Sequence, residues 1–220
     1  MLRERLEQVE QRIDAAARRA GRDRSTITLI AVTKKFPAAV IREAYDVGLR
    51  RFGENYVQEF EGKHPALADL PDAEFHLIGH LQSNKTRPAA ELFQVIETVD
   101  SAKLARRLDQ IGRPIEVMIE VKLSEEGTKS GATPEALPDL IAAIGSDCPN
   151  LRLTGLMTMP PWNSDPETTR PYFRRLAELG CQHGLKKLSM GMSHDFEAAI
   201  EEGSTHIRVG TALFGPRRKD

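Results

Sequence analysis

The chain has 220 residues, with 31 basic and 32 acidic side chains and a net charge of -1. This near balance gives no electrostatic reason to expect nucleic acid or an anionic membrane as a partner. Cys148 and Cys181 form neither a disulfide framework nor a metal-ligand pattern, and no stretch approaches the roughly 20 apolar residues of a membrane span. We therefore expect a cytoplasmic, monomeric protein with a small-molecule partner and no metal.

The first predicted element is an amphipathic helix that ends near Gly21 and covers the body of the protein. Its apolar residues recur at steps of three and four, namely Leu2, Leu6, Val9, Ile13 and Ala17. Residues 27–33 (ITLIAVT) follow, and their β-branched, apolar character on both faces is typical of a parallel strand covered on both sides. Pro37 then favours a helix start, and that helix ends at Gly48.

The same alternation continues to the C-terminus. Further strand-like runs are residues 50–54, 74–79, 94–99, 115–123, 151–159, 186–191 and 206–210. Helical patterns separate them at residues 56–63, 85–93, 102–111, 134–144, 167–182 and 195–202. Because eight alternating strands can close on themselves, we predict an α/β fold: a single (β/α)8 TIM-type barrel domain over residues 1–220 with an extra N-terminal helix. An open doubly wound sheet is the alternative.

Functional groups of such a barrel collect where the strands end at their carboxyl termini. The first strand runs into Lys34 and Lys35, and alternation along a strand predicts that one of the two points inward. Burial lowers the pKa of a lysine and so favours the neutral amine that attacks an aldehyde. The alternative is that both lysines bend out to solvent.

The segment GSTHIRVGTALFG, residues 203–215, indicates a phosphate site. Its strand leads into Gly210 and Thr211, a small-residue turn before a short helix, and phosphate sites of barrels often form after the last two strands. Ser193 follows the seventh strand and offers a hydroxyl to the same site. Its alternative role is an ordinary N-cap of the next helix.

Arg208 stands on a strand that should be buried. A guanidinium stays charged, so beside a pyridine nitrogen it can only donate a hydrogen bond; the alternative is a salt bridge across the barrel mouth. His76 and His80 have a four-residue spacing on a strand, which favours packed or hydrogen-bonding roles over a metal pair. Met157, Met159, Met190 and Met192 are expected to fill the core or the walls of the site.

Together these segments resemble the pyridoxal phosphate homeostasis proteins, the YggS/PROSC-type family, which are similar to the barrel domain of alanine racemase standing alone. The matching motifs are AVTK at 31–34, FGENYVQE at 52–59, HLIGHLQSNK at 76–85, KSG at 129–131, GLMTMP at 155–160, SMGMSHDFEAAI at 189–200 and GSTHIRVGTALFG at 203–215. They span almost the whole chain in order, so their joint occurrence is specific. Lys122 and His206 depart from the family pattern.

The resemblance implies pyridoxal 5'-phosphate (PLP) as the cofactor. It implies a Schiff base on Lys34, ring contacts from Asn55 and His80, and Arg208 at the pyridine nitrogen. It assigns the phosphate to Ser193, Gly210 and Thr211, and Met190 is counted with the residues around the cofactor.

The resemblance also implies a role in vitamin B6 homeostasis, as a carrier or reservoir of PLP that serves apo PLP-dependent enzymes. Racemases need proton donors on both faces of the substrate, and in alanine racemase one of them comes from a second domain that this sequence does not contain. We therefore expect no catalytic turnover. The alternative is a PLP-dependent amino-acid racemase or lyase.

Overall fold

The structure, a computed structural model, describes residues 1–124 and 130–216. All strand pairs are parallel, and the sheet closes because the first strand pairs with the last, with Thr28 beside His206. The strands are β1 (Thr28–Val32), β2 (Arg51–Glu54), β3 (Glu74–Leu77), β4 (Val95–Val99), β5 (Ile115–Glu120), β6 (Leu151–Met157), β7 (Lys187–Met192) and β8 (His206–Val209). The predicted barrel is confirmed, and closure excludes the open sheet.

Helices connect successive strands, as the alternating pattern predicts. They are α1 (Leu2–Arg19), α2 (Ala38–Asp46), α3 (Val57–Lys63), α4 (Thr86–Leu92), α5 (Ala102–Asp109), α6 (Leu137–Asp147), α7 (Arg170–Gln182), α8 (Phe196–Glu201) and α9 (Thr211–Phe214). Short 3-10 turns precede α6 and α7, at Pro134–Ala136 and Pro166–Thr169. Their prolines lie in a first turn, where a missing N–H is tolerated. No described helix has the length and apolar character needed to cross a membrane.

The hydrophobic core lies between the barrel and the helices that surround it. Phe52, Phe60 and Phe173 are fully buried there. The barrel interior is different, because it holds charged and hydroxyl side chains. Ser189 of β7 donates a hydrogen bond to Glu97 of β4, and these strands are not neighbours in the sheet, so the bond crosses the interior.

The N-terminal helix covers the C-terminal part of the barrel wall, as predicted. Helix α1 packs on α8 and α9 with its buried face, which includes Ile13. Arg12 forms an ion pair with Glu197 (2.6 Å), and its guanidinium lies 4.3 Å from the centre of the Phe196 ring. This helix therefore braces the segment that follows β7.

Candidate functional site

A cavity of about 220 Å³ opens where the strands end at their carboxyl termini. Among the predicted site residues, its lining includes Lys34, Asn55, Ser193, Arg208, Gly210 and Thr211. These side chains come from β1, β2, β7, β8 and the turns that follow them, so closure of the barrel is what brings them together. The expected clustering at this end of the barrel is observed.

The turn after β1 separates the two adjacent lysines. Lys34 is half-buried and lines the cavity, whereas Lys35 is exposed and does not. Lys35 has φ 65, the one positive value among the described non-glycine residues. This left-handed conformation is costly for a residue with a Cβ, and such strain persists where surrounding contacts enforce it. The turn therefore aims Lys34 at the cavity and Lys35 at solvent.

A buried ion pair beneath this turn supplies those contacts. Lys63 Nζ donates to Glu54 Oε1 (3.0 Å) and to the Thr33 carbonyl (3.1 Å), and the Thr33 hydroxyl donates to Glu54 Oε1 (2.8 Å). Burial raises the pKa of Glu54, although the charge of Lys63 opposes that shift. Glu59 pairs with Lys63 (2.5 Å) and accepts the Lys35 N–H (2.5 Å). The segment around Lys34 is thus fixed on both sides.

Asn55 is placed by a close backbone approach. A Cβ on Gly79 would lie 2.3 Å from the Asn55 carbonyl oxygen, so only glycine fits opposite it. The amide oxygen of Asn55, Oδ1, is buried and accepts no hydrogen bond from the described residues. Buried polar atoms are nearly always paired. An unpartnered acceptor in a cavity wall is therefore a position where a bound molecule supplies a donor.

Backbone donors converge on Ser193 at the turn after β8. The N–H groups of Gly210 and Ala212 both donate to Ser193 Oγ, each at 3.2 Å. The alternative N-cap role of Ser193 is wrong, because α8 begins three residues later, at Phe196, and its N-cap residue is Asp195. Gly191, at φ 92, allows this bend, since a Cβ there would lie 2.5 Å from Ala199 Cβ. The Ser193 hydroxyl thus links the turn after β7 to the turn after β8 and does not cap α8.

Arg208 is 2% exposed and reaches the cavity from inside the barrel. Its guanidinium donates to Ser189 Oγ (2.7 Å) and to the Thr158 carbonyl (2.8 Å). Ser189 in turn donates to Glu97 Oε2 (2.5 Å), so the charge of Arg208 is balanced through a hydroxyl and not by a direct ion pair with Glu97. Among the described residues, this interior chain takes the place of the salt bridge across the mouth that was the alternative for Arg208.

The chain continues to the opposite end of the barrel. His76 Nδ1 lies 2.7 Å from Glu97 Oε1, and His76 Nε2 lies 3.0 Å from Glu74 Oε1. Burial disfavours the charged ring, but the hydrogen bonds to Glu74 and Glu97 outweigh it and raise the pKa of His76 to about 9. Alternating charges therefore run from Glu74 through His76 and Glu97 to Arg208. This explains His76 as an interior ion-pair residue.

Two predicted residues do not reach the cavity. Met190 is fully buried in the layer between barrel and helices, because its neighbour Ser189 points inward and side chains alternate along a strand. His80 is exposed and lies 3.9 Å from Asp100. Met159 and Met192 line the cavity instead. Lys129 of the KSG motif lies outside the described residues.

The loop after β6 adds residues that match none of the family motifs. Pro161, Trp162 and Asn163 line the cavity, and the Trp162 ring stacks on His194 with centroids 6.1 Å apart. Trp162 is the one tryptophan of the chain and is 76% exposed. The signal in the sequence that could have indicated this part of the site was a tryptophan flanked by prolines in the loop after a barrel strand.

Comparison with known proteins identifies the family. Residues 5–218 match the family described as Alanine racemase, N-terminal domain. The pyridoxal phosphate homeostasis protein of Pseudomonas aeruginosa is 50% identical over 220 residues, which cover 97% of this chain and 95% of that protein. This chain belongs to the pyridoxal phosphate homeostasis protein family. The resemblance inferred from the motifs is confirmed.

Solved structures agree with the family assignment. PipY of Synechococcus elongatus, a structure with PLP bound, is 41% identical to this homeostasis family member with a TM-score of 0.84, over 98% of this chain and 100% of that chain. An alanine racemase of Clostridium difficile has a TM-score of 0.76 at 14% identity, and the match covers 57% of its length. The second likeness concerns the fold alone.

Proposed function

We propose that this protein binds PLP as a Schiff base on Lys34 and acts in the cytoplasm as a carrier and reservoir of PLP for apo PLP-dependent enzymes, without catalytic turnover. The observation that carries the proposal is the shared cavity: half-buried Lys34 lines it from the turn after β1, and Ser193, Gly210 and Thr211 line it from the turns after β7 and β8. These are the two attachment points that an aldehyde with a phosphate group requires.

The residues present fit the cofactor. The Asn55 amide oxygen is buried and unpartnered among the described residues, and a ring hydroxyl supplies the donor that it lacks. Ser193, Gly210 and Thr211 would hold the phosphate, and Arg208 would donate to the pyridine nitrogen. When bound, PLP supplies an aldehyde that condenses with a primary amine. At Lys34, the Nζ–carbon double bond forms as one water leaves.

The chain's own residues favour holding the cofactor over using it. Burial lowers the pKa of Arg208, and the charges of Glu97, Asp195 and Glu120 oppose that shift. A guanidinium stays charged and can only donate to the pyridine nitrogen. An unprotonated nitrogen withdraws electrons weakly, which disfavours proton abstraction from a bound amino acid. The named relatives are homeostasis proteins. Both points support storage and release of PLP.

A spectroscopic test addresses the Schiff base. Apoprotein mixed with PLP is expected to develop a visible absorbance band that disappears on borohydride reduction. Lys34→Ala is expected to abolish the band, whereas the matched control Lys35→Ala is expected to retain it, because Lys35 is exposed and outside the cavity. A band that survives in Lys34→Ala would refute the assignment.

A second test separates a carrier from an enzyme. The PLP-loaded protein is incubated with a panel of L-amino acids in deuterated water, and α-deuterium incorporation is followed by NMR. A carrier is expected to give no sustained exchange, while an apo PLP enzyme mixed with the loaded protein regains activity. Sustained exchange would establish the racemase or lyase alternative.

A further inference from the structure

Glu120, the last residue of β5, is a buried side chain with a carboxylate oxygen that has no hydrogen-bond partner among the described residues. It is 4% exposed, and its Oε2 is fully buried. This Oε2 accepts no hydrogen bond from the described residues, in contrast to the carboxylates of Glu54 and Glu97. A buried carboxylate is costly unless a donor or cation satisfies it. Glu120 therefore marks a place where a cationic donor is expected.

A second cavity lies directly over this carboxylate. Its lining includes Glu120, Lys122, Met159, Trp162 and Met192. The last three of these residues also line the cavity that Lys34 faces, so the two cavities are adjacent at the barrel mouth. A group bound at Glu120 would thus stand beside the group bound at Lys34.

The charges of the described residues around Glu120 do not offset its burial. Arg208 is a nearby cation among the described residues, but its guanidinium already donates to Ser189 Oγ and the Thr158 carbonyl. Burial raises the pKa of Glu120, the charge of Arg208 opposes that rise, and Asp100 adds to it. A cation brought to this carboxylate would restore its charged form. Lys122, at the rim of the same cavity, is positioned to attract a carboxylate.

We propose that Glu120 and this second cavity bind the primary ammonium group of an amine that enters next to Lys34. Glu120 accepts hydrogen bonds from the ammonium group, and no covalent bond is made there. Two sources share this chemistry, a free amino acid and a lysine side chain of another protein. The biological use rests on the proposed function, because a primary amine is the class of molecule that can take PLP from Lys34.

The test uses Lys34→Ala protein free of cofactor, so that a Schiff base on Lys34 contributes nothing. Glycine and n-butylamine are titrated while Trp162 fluorescence and heat are recorded; Trp162 is the one tryptophan and lines both cavities. Both amines are expected to bind saturably, and acetate is not. Because a charge-assisted hydrogen bond is lost, Glu120→Gln is expected to weaken amine binding by about tenfold or more.

The control variants separate specific pairing from general charge. Glu116→Gln removes a carboxylate from the same strand at the other end of the barrel, where it pairs with Arg152 and Lys187, and is expected to leave amine binding unchanged. Glu120→Asp keeps the charge and is expected to retain measurable binding, which also guards against a folding defect in the amide variant.

The two sources give different results. If Lys122 pairs with the carboxylate of the ligand, glycine binds more tightly than n-butylamine, and Lys122→Ala removes this difference. That result identifies a free amino acid as the natural ligand. Equal or tighter binding of n-butylamine identifies a lysine side chain. Absence of saturable binding by both amines, or unchanged affinity in Glu120→Gln, would overturn the proposal. Neither result depends on whether PLP binds Lys34.

Discussion

The interior charge chain predicts a large effect of Glu97→Gln on stability. Glu97 is fully buried and accepts hydrogen bonds from His76 Nδ1 and Ser189 Oγ, and its charge faces Arg208. Glutamine keeps the shape but removes the charge, which leaves two buried cations with less compensation. Removing one partner of a buried ion pair costs about 3–5 kcal/mol. At the lower figure, Tm falls by about 6–12 °C for a chain of this size.

The effect of Glu97→Gln on stability is expected to depend on pH through His76. Because the pKa of His76 is raised from 6.5 to about 9 in the folded state, protonation of its ring stabilises the fold fully below pH 6.5. This contribution, on the order of 3 kcal/mol, is lost as the pH rises through about 9. In Glu97→Gln the pKa of His76 falls, so the stability gap from the parent is widest near pH 6.5 and narrows at higher pH.

Urea unfolding of the cofactor-free protein at pH 6.5 and pH 9.5 measures both effects. Glu43→Gln is the matched control, because Glu43 is an exposed residue of α2 and its loss is expected to change the free energy of unfolding by less than about 0.5 kcal/mol. A Glu97→Gln variant within about 1 kcal/mol of the parent at pH 6.5, a small fraction of the 3–5 kcal/mol expected, would refute the assignment of the interior charge chain.

Three further substitutions test the cofactor site and the loss of stability at acidic pH. Thr211→Ala is expected to weaken PLP retention in equilibrium dialysis by the 1.5–3 kcal/mol of a charged hydrogen bond, about tenfold or more; unchanged retention would contradict a phosphate contact. Arg208→Ala is expected to shift the visible absorbance of bound PLP, and an unaltered spectrum would count against contact with the ring nitrogen. Burial lowers the pKa of His206 to about 4, so stability is lost as the pH falls from 6.5 towards 4. In His206→Gln, the free energy of unfolding in urea should change less between pH 6.5 and pH 4. An unchanged pH dependence would contradict this role of His206.

The fold was predictable because strands such as β1, β4 and β5 carry apolar, β-branched runs of the right length, and the longer helices between strands carry an apolar stripe. The ends of the strands were less predictable. Strand β1 ends at Val32 and the chain turns at Thr33, where a buried ion pair between Lys63 and Glu54 holds it. A contact that joins β1, β2 and α3 leaves no local signal in any one of them. Lys34 was placed correctly at a strand end, but its separation from Lys35 depended on that contact.

The site, like the strand ends, was only partly predictable from the sequence. Glu97 and Glu120 were visible as acidic residues inside apolar strands, a pattern that signals an interior charge. Their partners come from distant strands, however, and only barrel closure brings Ser189 to Glu97. Met190 and Met192 differ in which way the side chain points, because the register between β7 and β8 shifts between Ser189 and Met192. A register shift of this kind is set by pairing across strands and not by sequence spacing.

The most direct test of the central claim is peptide mapping after reductive trapping. The protein is incubated with PLP, reduced with borohydride and digested, and the modified lysine is identified by mass spectrometry. We predict one dominant phosphopyridoxyl group, on Lys34, with Lys35 and the other exposed lysines largely unmodified. Dominant modification at another lysine, or no adduct at Lys34 at saturating PLP, would contradict the account.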